Sequence, residues 1–210
     1  MELKHAINNK VIASATVLEH FTSHEEPCDT SGAALKEWSK KFINPMIFTQ
    51  LEKTAICGTY IATQNLGAHT SIDFWHQAIQ DDLNFANPRN FPSTLANALA
   101  SQLAIHTKSK GPSLALLGGP EATSACMQHA LTDLNNKCID YALVVSVNSF
   151  FDQVACPKNQ QVAAGWLLTK FTPTKESPTL KLIQCQSPPK QAFDKGNFES
   201  PWPGFSLILE

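Results

Sequence analysis

Residues 111–134, GPSLALLGGPEATSACMQHALTDL, decide the fold predicted for this chain. A short apolar run is followed by a glycine-rich turn and then by apolar residues at the spacing of an amphipathic helix. In folds that carry a nucleophile at such a strand-to-helix turn, the helix N-terminus stabilises the reactive anion. Here the turn consists of Gly118, Gly119, Pro120 and Glu121, without serine, cysteine or threonine. The stretch therefore has the layout of a catalytic turn but lacks the nucleophilic atom.

The composition indicates one globular domain spanning residues 1–210. Hydrophobic residues make up 43% of the chain and charged residues 16%, and the formal charge is −2. A chain of this length can bury a stable core without disulfides or metals. No basic cluster is present that would neutralise phosphates, so we expect no nucleic-acid partner. No segment approaches the ~18 apolar residues that span a bilayer and no leader pattern opens the chain, which favours a cytoplasmic protein without a membrane span.

Hydrophobic periodicity predicts a layered α/β domain, because strands and helices alternate along the chain. Strands are predicted at 11–19, 54–62, 139–147, 163–171, 179–185 and 205–209, with another in the apolar run of residues 114–117. Helices are predicted at 33–42, 71–84, 93–106 with Ser93 as its N-cap, and after the central turn. Residues 163–171 and 179–185 resemble a hairpin, residues 21–32 a loop, and residues 187–210 an extended arm closed by the last strand.

Thiol chemistry is one alternative function, that of an acyltransferase or thioesterase using a cysteine such as Cys126. This residue follows Pro120 by six positions and lies on the apolar stripe of the predicted helix. A nucleophilic thiol needs exposure and a lowered pKa, which a mid-helix apolar position does not supply. Core packing is therefore the favoured interpretation of Cys126.

Metal binding is a second alternative, built on four metal-capable side chains near the N-terminus: His20, His24, Glu25 and Cys28. Two histidines four residues apart share one face of a helix. Pro27 argues against such a helix, and the second histidine of an H-E-x-x-H site is missing. The six cysteines contain no C-x-x-C pair. We therefore expect neither a metal site nor a cofactor.

From Asn87 onward, the order of motifs resembles the N-terminal half of a β-ketoacyl synthase of the thiolase fold. The motifs that carry the resemblance are Asn87-Pro88, Phe91-Pro92-Ser93, Leu95 to Ala98, Gln102 to Ile105, Gly111-Pro112-Ser113, Asp140 to Val147 and Gly165 to Thr169. The match covers residues 55–185 loosely and 87–148 well. It implies a thiolase-like half, in which a mixed sheet is packed by helices.

Two departures from the family pattern decide what the resemblance implies. Family members carry Thr-Ala-Cys at the central turn, and the spacing from Gly111-Pro112-Ser113 places Pro120 at the position of the acyl-accepting cysteine. Proline has neither a nucleophile nor a backbone N–H, so a thiolate and one oxyanion donor are both lost. The family's two catalytic histidines belong to a second half that would lie downstream of residue 210. The resemblance therefore implies no catalytic residue in this chain.

A ketosynthase half without these groups resembles a chain length factor, the non-condensing subunit of a type II polyketide synthase. It is most similar to the short subunits of aryl polyene pathways. This resemblance implies a pseudoenzyme subunit that forms a heterodimer or heterotetramer with an intact β-ketoacyl synthase and meets acyl carrier protein through the complex, which would act as an acyltransferase. The residues predicted to contact the ketosynthase are Phe91, Pro92, Leu95, Asn97, Leu99, Gln102, Ser113, Leu114, Ala115, Leu116, Leu117 and Gly118.

Overall fold

The fold is described by a computed structural model. It describes residues 10–23, 32–43, 55–63, 68–80, 87–89, 91–95, 97–118, 120–147, 163–170, 179–184, 197–199 and 205–209. The strands are β1 Lys10–Ser23, β2 Cys57–Thr63, β3 Ser113–Leu117, β4 Tyr141–Val147, β5 Ala163–Thr169, β6 Thr179–Gln184, β7 Asn197–Glu199 and β8 Phe205–Leu209. The helices are α1 Gly32–Phe42, α2 Ala68–Gln80, α3 Ala98–Thr107 and α4 Pro120–Asn135, with a 3₁₀ turn at Phe91–Thr94.

The strands form one mixed, eight-stranded sheet in the order β3-β2-β4-β5-β1-β6-β8-β7. The pairs β2–β3 and β2–β4 are parallel, as expected where helices connect successive strands. All pairs from β4 to β7 are antiparallel. The layered α/β class predicted from the sequence is confirmed.

Helices cover both faces of this sheet, because the central strands are apolar on both sides. On one face, α4 packs Cys126, Met127, Ala130 and Leu131 against the sheet. On the other face, α1 and α3 enclose a second cluster with members from β2 and β4; it consists of Trp38, Ile43, Cys57, Ile61, Leu99, Ala100, Leu103, Leu143, Val145, Val147 and Ala163. The core thus has two layers separated by the sheet.

The start of β3 depends on a close backbone approach at Gly111. Its N–H donates a hydrogen bond of 2.9 Å to the carbonyl of Cys57. A Cβ at position 111 would lie 2.6 Å from that carbonyl oxygen, which no side chain tolerates. The next contact, from the Thr59 N–H to the Pro112 carbonyl at 2.8 Å, begins the parallel pairing. The Gly-Pro-Ser sequence therefore fixes where β3 joins the sheet.

The helices α3 and α4 both end beside the N-terminal ends of strands β2, β3 and β4. Lys108 follows α3 with a φ of 54°, and Lys137 lies just beyond α4 with a φ of 59°. Lys170 donates a 3.2 Å hydrogen bond to the carbonyl of Asn135, in the last turn of α4. Cationic side chains at helix C-termini are stabilised by the helix dipole. These lysines are explained by helix termination.

Several sequence predictions differ from the structure. The hairpin predicted for residues 163–171 and 179–185 is wrong, because β1 lies between β5 and β6 and pairs with both. Residues 21–23, predicted as part of a loop, belong to β1, which continues to Ser23 along β5. The rest of that predicted loop, residues 24–31, lies outside the described residues. Ser93 lies in a separate 3₁₀ turn instead of capping α3. In each case tertiary pairing or a local turn overrides periodicity. Most of the predicted arm, residues 187–210, lies outside the described residues.

Candidate partner interface

The turn after β3 joins the sheet edge to the N-terminus of α4. The Gly118 N–H donates a 3.0 Å hydrogen bond to the Thr63 carbonyl at the end of β2. Two residues later α4 begins at Pro120, a favoured residue at the first helical position because its missing N–H has no helical partner there. Glu121 lies in the first turn, where a carboxylate is stabilised by the helix dipole. The backbone of this turn therefore offers fewer donors than a turn without proline.

Strand β3 is the edge of the sheet at this position, and among the described strands it pairs with β2 alone. Leu114 and Leu116 point toward the α4 layer, whereas Ala115 points toward α3. Alternation along the strand places Leu117 on the α3 side, and its side chain is 62% exposed. Ser113 is also exposed. An edge strand with apolar side chains is a template for pairing with another chain.

The 3₁₀ turn and the start of α3 lie near the C-terminal end of β3, where the strand-to-helix turn also lies. Because α3 ends beside the start of β2 and packs on β3, its N-terminus lies at the opposite end, where β3 finishes. There Phe91 is 52% and Leu95 44% exposed. Pro92 and Asn97 are exposed, and Gln102 is half-buried. Leu99 is different, since it is buried in the core under α3 and its side chain does not reach this surface.

Helix α2 presents a further apolar stripe to the solvent. Ile72, Trp75 and Ile79 are 48%, 55% and 71% exposed. The helix is held to the 3₁₀ turn by the Phe74 and Phe91 rings, whose centroids are 6.1 Å apart in a T-shaped arrangement. A hydrogen bond of 3.0 Å from the Ser71 hydroxyl to the Thr94 carbonyl adds to this junction. The helical spacing of these residues is visible in the sequence, but it does not say which side of the helix the core covers.

We use the name open apolar surface for six exposed side chains of these elements: Ile72, Trp75, Ile79, Phe91, Leu95 and Leu117. Fully buried aromatic side chains cover about 150–250 Å² each, so half-exposed ones leave about 100 Å² open. Two of the six residues are aromatic and four are aliphatic, so together they leave several hundred Å² open, which is comparable with the largest apolar patch of an ordinary monomer, about 300–600 Å². A stable interface buries about 800 Å² on each partner. The surface therefore has the size and composition of the apolar centre of an interface.

The two buried thiols of the described residues, Cys126 and Cys57, do not suit nucleophilic catalysis. Cys126 is fully buried on the inner face of α4, and burial raises the pKa of its thiol to about 12. Burial likewise raises the pKa of Cys57 to about 12. A thiol with such a pKa is almost entirely protonated at neutral pH and is a weak nucleophile. Cys138 is exposed. The alternative based on Cys126 is therefore disfavoured by its position.

Of the proposed metal ligands, the structure describes His20, which lies in β1 opposite Trp166 of β5. The other members of that set, His24, Glu25 and Cys28, lie outside the described residues. Within the described ranges, no group of three metal-capable side chains comes together. No helix in the described part of the chain is long and apolar enough to cross a membrane.

Comparison with known proteins gives matches of fold at low sequence identity. No protein-family model matches the chain, and no curated protein sequence matches it significantly. The ishigamide ketosynthase/chain length factor superposes with a TM-score of 0.52 and 16% identity, covering 63% of this chain. This chain spans only 41% of the length of that one.

A second solved structure matches almost end to end. It is the ketosynthase ApeO in complex with its chain length factor ApeC from Xenorhabdus doucetiae, with a TM-score of 0.52 and 11% identity. The match covers 96% of this chain and 98% of the matched one, so the two chains have nearly equal length. At these identities the likeness concerns the fold. The mixed sheet, its covering helices and these two matches lead to one conclusion: this chain has the ketosynthase-like, thiolase-type fold found in complexes of ketosynthases with chain length factors.

Proposed function

We propose that this chain is a non-catalytic, ketosynthase-like partner subunit, a chain length factor, that heterodimerises with an intact β-ketoacyl synthase. In that complex it stabilises the ketosynthase or shapes its acyl tunnel during type II polyketide synthesis, of which the aryl polyene pathways are the most similar case. The complex acts in the cytoplasm on acyl chains delivered by acyl carrier protein. Its activity is that of a ketosynthase, which replaces the broader expectation of an acyltransferase.

One observation carries this proposal: exposed apolar side chains accompany β3, which is an edge strand among the strands that the structure describes. Leu117 of β3 and Leu95 near α3 are exposed at the end of the sheet where the strand-to-helix turn lies. Pairing along β3 would satisfy its free backbone groups, and the partner would cover the apolar side chains around it. An exposed apolar patch of this size often marks a contact with another protein, which supports a complex.

The turn itself supports a silent role for this subunit. Pro120 opens α4 where the family resemblance places the nucleophile, and proline provides neither a nucleophile nor an N–H. Chemistry in the complex then depends on the thiol and histidines of the ketosynthase subunit. This chain then contributes shape and not chemistry, because its side chains line part of the ketosynthase tunnel in which the growing acyl chain lies.

Coexpression tests the proposal directly. The full chain is coexpressed with a tagged, intact β-ketoacyl synthase, taken from a neighbouring gene where one is present, and the complex is followed by size-exclusion chromatography with light scattering. We expect a stable heteromer, and we expect the ketosynthase alone to be less soluble or less active. A chain that elutes as a monodisperse monomer and does not associate with this ketosynthase contradicts the proposal.

A matched pair of variants locates the interface. Leu117→Arg places a charge on the exposed end of β3, where partner pairing would bury it at a cost of several kcal/mol, of order 3. Ile105→Arg is the control, because Ile105 is 66% exposed on α3 but lies toward the other end of that helix. The proposal requires that L117R abolish copurification and that I105R leave it intact, with both isolated variants unfolding at the wild-type temperature.

A further inference from the structure

Helix α4 is buried over more of its circumference than one flat sheet can cover. Its inner face, which includes Cys126 and Ala130, packs on the sheet. Ser124 and Gln128 are also buried, at 1% and 0% exposure. At 3.6 residues per turn, these two residues lie about 120–160° around the helix from Ala130. A second element must therefore close this flank.

Among the described elements, one at the far edge of the sheet also contacts α4. Strand β8 pairs with β6 from Leu180 to Gln184, and β7 pairs in turn with β8. Through this extension β7, Asn197–Glu199, contacts α4, while β3 at the other end of the sheet also contacts α4. Twist accumulates across a sheet of many strands, so an eight-stranded sheet can curl around one helix. The remaining stripe of α4 is polar and exposed, with Glu121, His129 and Thr132.

We infer that β8 and β7 form a strap that closes the α4 flank of Ser124 and Gln128, so that this flank is covered from within the chain. The flank is then not available to a partner or to another protein layer while the strap is in place. Because β7 and β3 are opposite edges of the sheet, the strap is separate from the proposed ketosynthase interface. The inference does not depend on that interface.

Hydrogen exchange on the full chain tests the strap. Gln128→Lys places a charge under β7, and a buried unpaired charge is costly enough to displace a peripheral element. We expect the amides of 197–199 and 205–209 to exchange about tenfold faster or more, while those of β2 and β4 keep their protection. His129→Lys is the matched control, because the same charge one residue later lies on the exposed stripe. It should leave every segment unchanged.

A milder variant keeps the test decisive if Gln128→Lys does not fold. Ser124→Asn adds volume on the same flank without a charge, and the strap predicts faster exchange in 197–199 and 205–209 alone. Unchanged exchange there in Gln128→Lys overturns the inference. Equal loss of protection in β2, β4 and the C-terminal strands of Ser124→Asn also overturns it, since the flank would then be part of one undivided core.

Discussion

Helices α4 and α2 are both amphipathic, but the large apolar side chains are buried on α4 and exposed on α2. On α4 the apolar face is packed on the sheet, and the residues left in contact with water are polar. On α2 the large side chains Ile72, Trp75 and Ile79 face outward, and Ala78 is the fully buried residue among its described side chains. The first helix is a complete part of this chain's core. The second has an apolar stripe that this chain does not cover.

This difference indicates which residues of the chain serve stability and which are available for binding, in a chain without a nucleophile at its central turn. Residues whose burial is complete contribute to the free energy of unfolding of the isolated chain. Large apolar residues that stay exposed contribute little to that stability and are candidates for contacts with a partner. The two helices should therefore respond oppositely to the same kind of substitution, in stability and in complex formation.

The largest effect is expected on the inner face of α4. Leu131→Ala should lower the free energy of unfolding by about 3 kcal/mol, because Leu131 is fully buried and its loss leaves a cavity under the sheet. Urea denaturation followed by circular dichroism measures this change. Thr132→Ala, on the exposed side of the same turn, is the control and should cost less than about 1 kcal/mol. Equal losses in both variants would show that α4 is not packed as described.

The next effect concerns α2 and the complex. Trp75→Ala should weaken association with the ketosynthase by about 2 kcal/mol, or about 30-fold, since a half-exposed tryptophan is a typical binding hot spot. Stability of the isolated variant should stay within about 0.5 kcal/mol of wild type. Titration calorimetry gives the affinity, with His76→Ala on the neighbouring exposed position as the control. Wild-type affinity for Trp75→Ala would remove α2 from the interface.

A smaller effect is expected where α4 is anchored to the sheet by a polar contact. The Tyr60 hydroxyl donates a 2.6 Å hydrogen bond to the Asp133 carboxylate, and the pKa of Tyr60 is raised, first by burial and then by this carboxylate. Tyr60→Phe should cost about 1–2 kcal/mol, because one carboxylate oxygen loses its donor. Double-mutant analysis with Asp133→Asn should give a non-zero coupling energy. Additive losses would show that the contact does not contribute.

Near neutral pH, the smallest effect on stability is expected from ionisation of the thiols. Cys126 has a pKa raised from 9.0 to about 12 by burial, so the unfolded thiol ionises first as the pH rises. Stability associated with Cys126 is therefore complete below pH 9.0 and is lost between there and about 12. Mass spectrometry after brief alkylation at pH 8 should find label on Cys138 but not on Cys57 or Cys126. Rapid native labelling of Cys126 would revive the thiol-enzyme alternative.

Much of the fold follows from local sequence pattern. The apolar run of β4 and the helical stripe of α4 are long enough that periodicity places them correctly. The last strand, Phe205–Leu209, has the predicted bounds. Pairing partners are different, because β1 is about 140 residues away in sequence from the strands it separates, β5 and β6. Two strands that follow one another in sequence resemble a hairpin, although in the sheet a strand from far away in the sequence can lie between them.

The sequence by itself determined the strand–turn–helix unit at residues 111–134, the absence of a nucleophile from its turn and the α/β class. These properties depend on residue types and short-range spacing, which are present in the sequence. Only the tertiary structure decided that β1 lies between β5 and β6, that α2 turns its tryptophan outward and that Leu99 faces the core. The exposure of a side chain depends on which other elements pack against it. Periodicity identifies the apolar face of a helix but does not say which element, if any, will pack on that face.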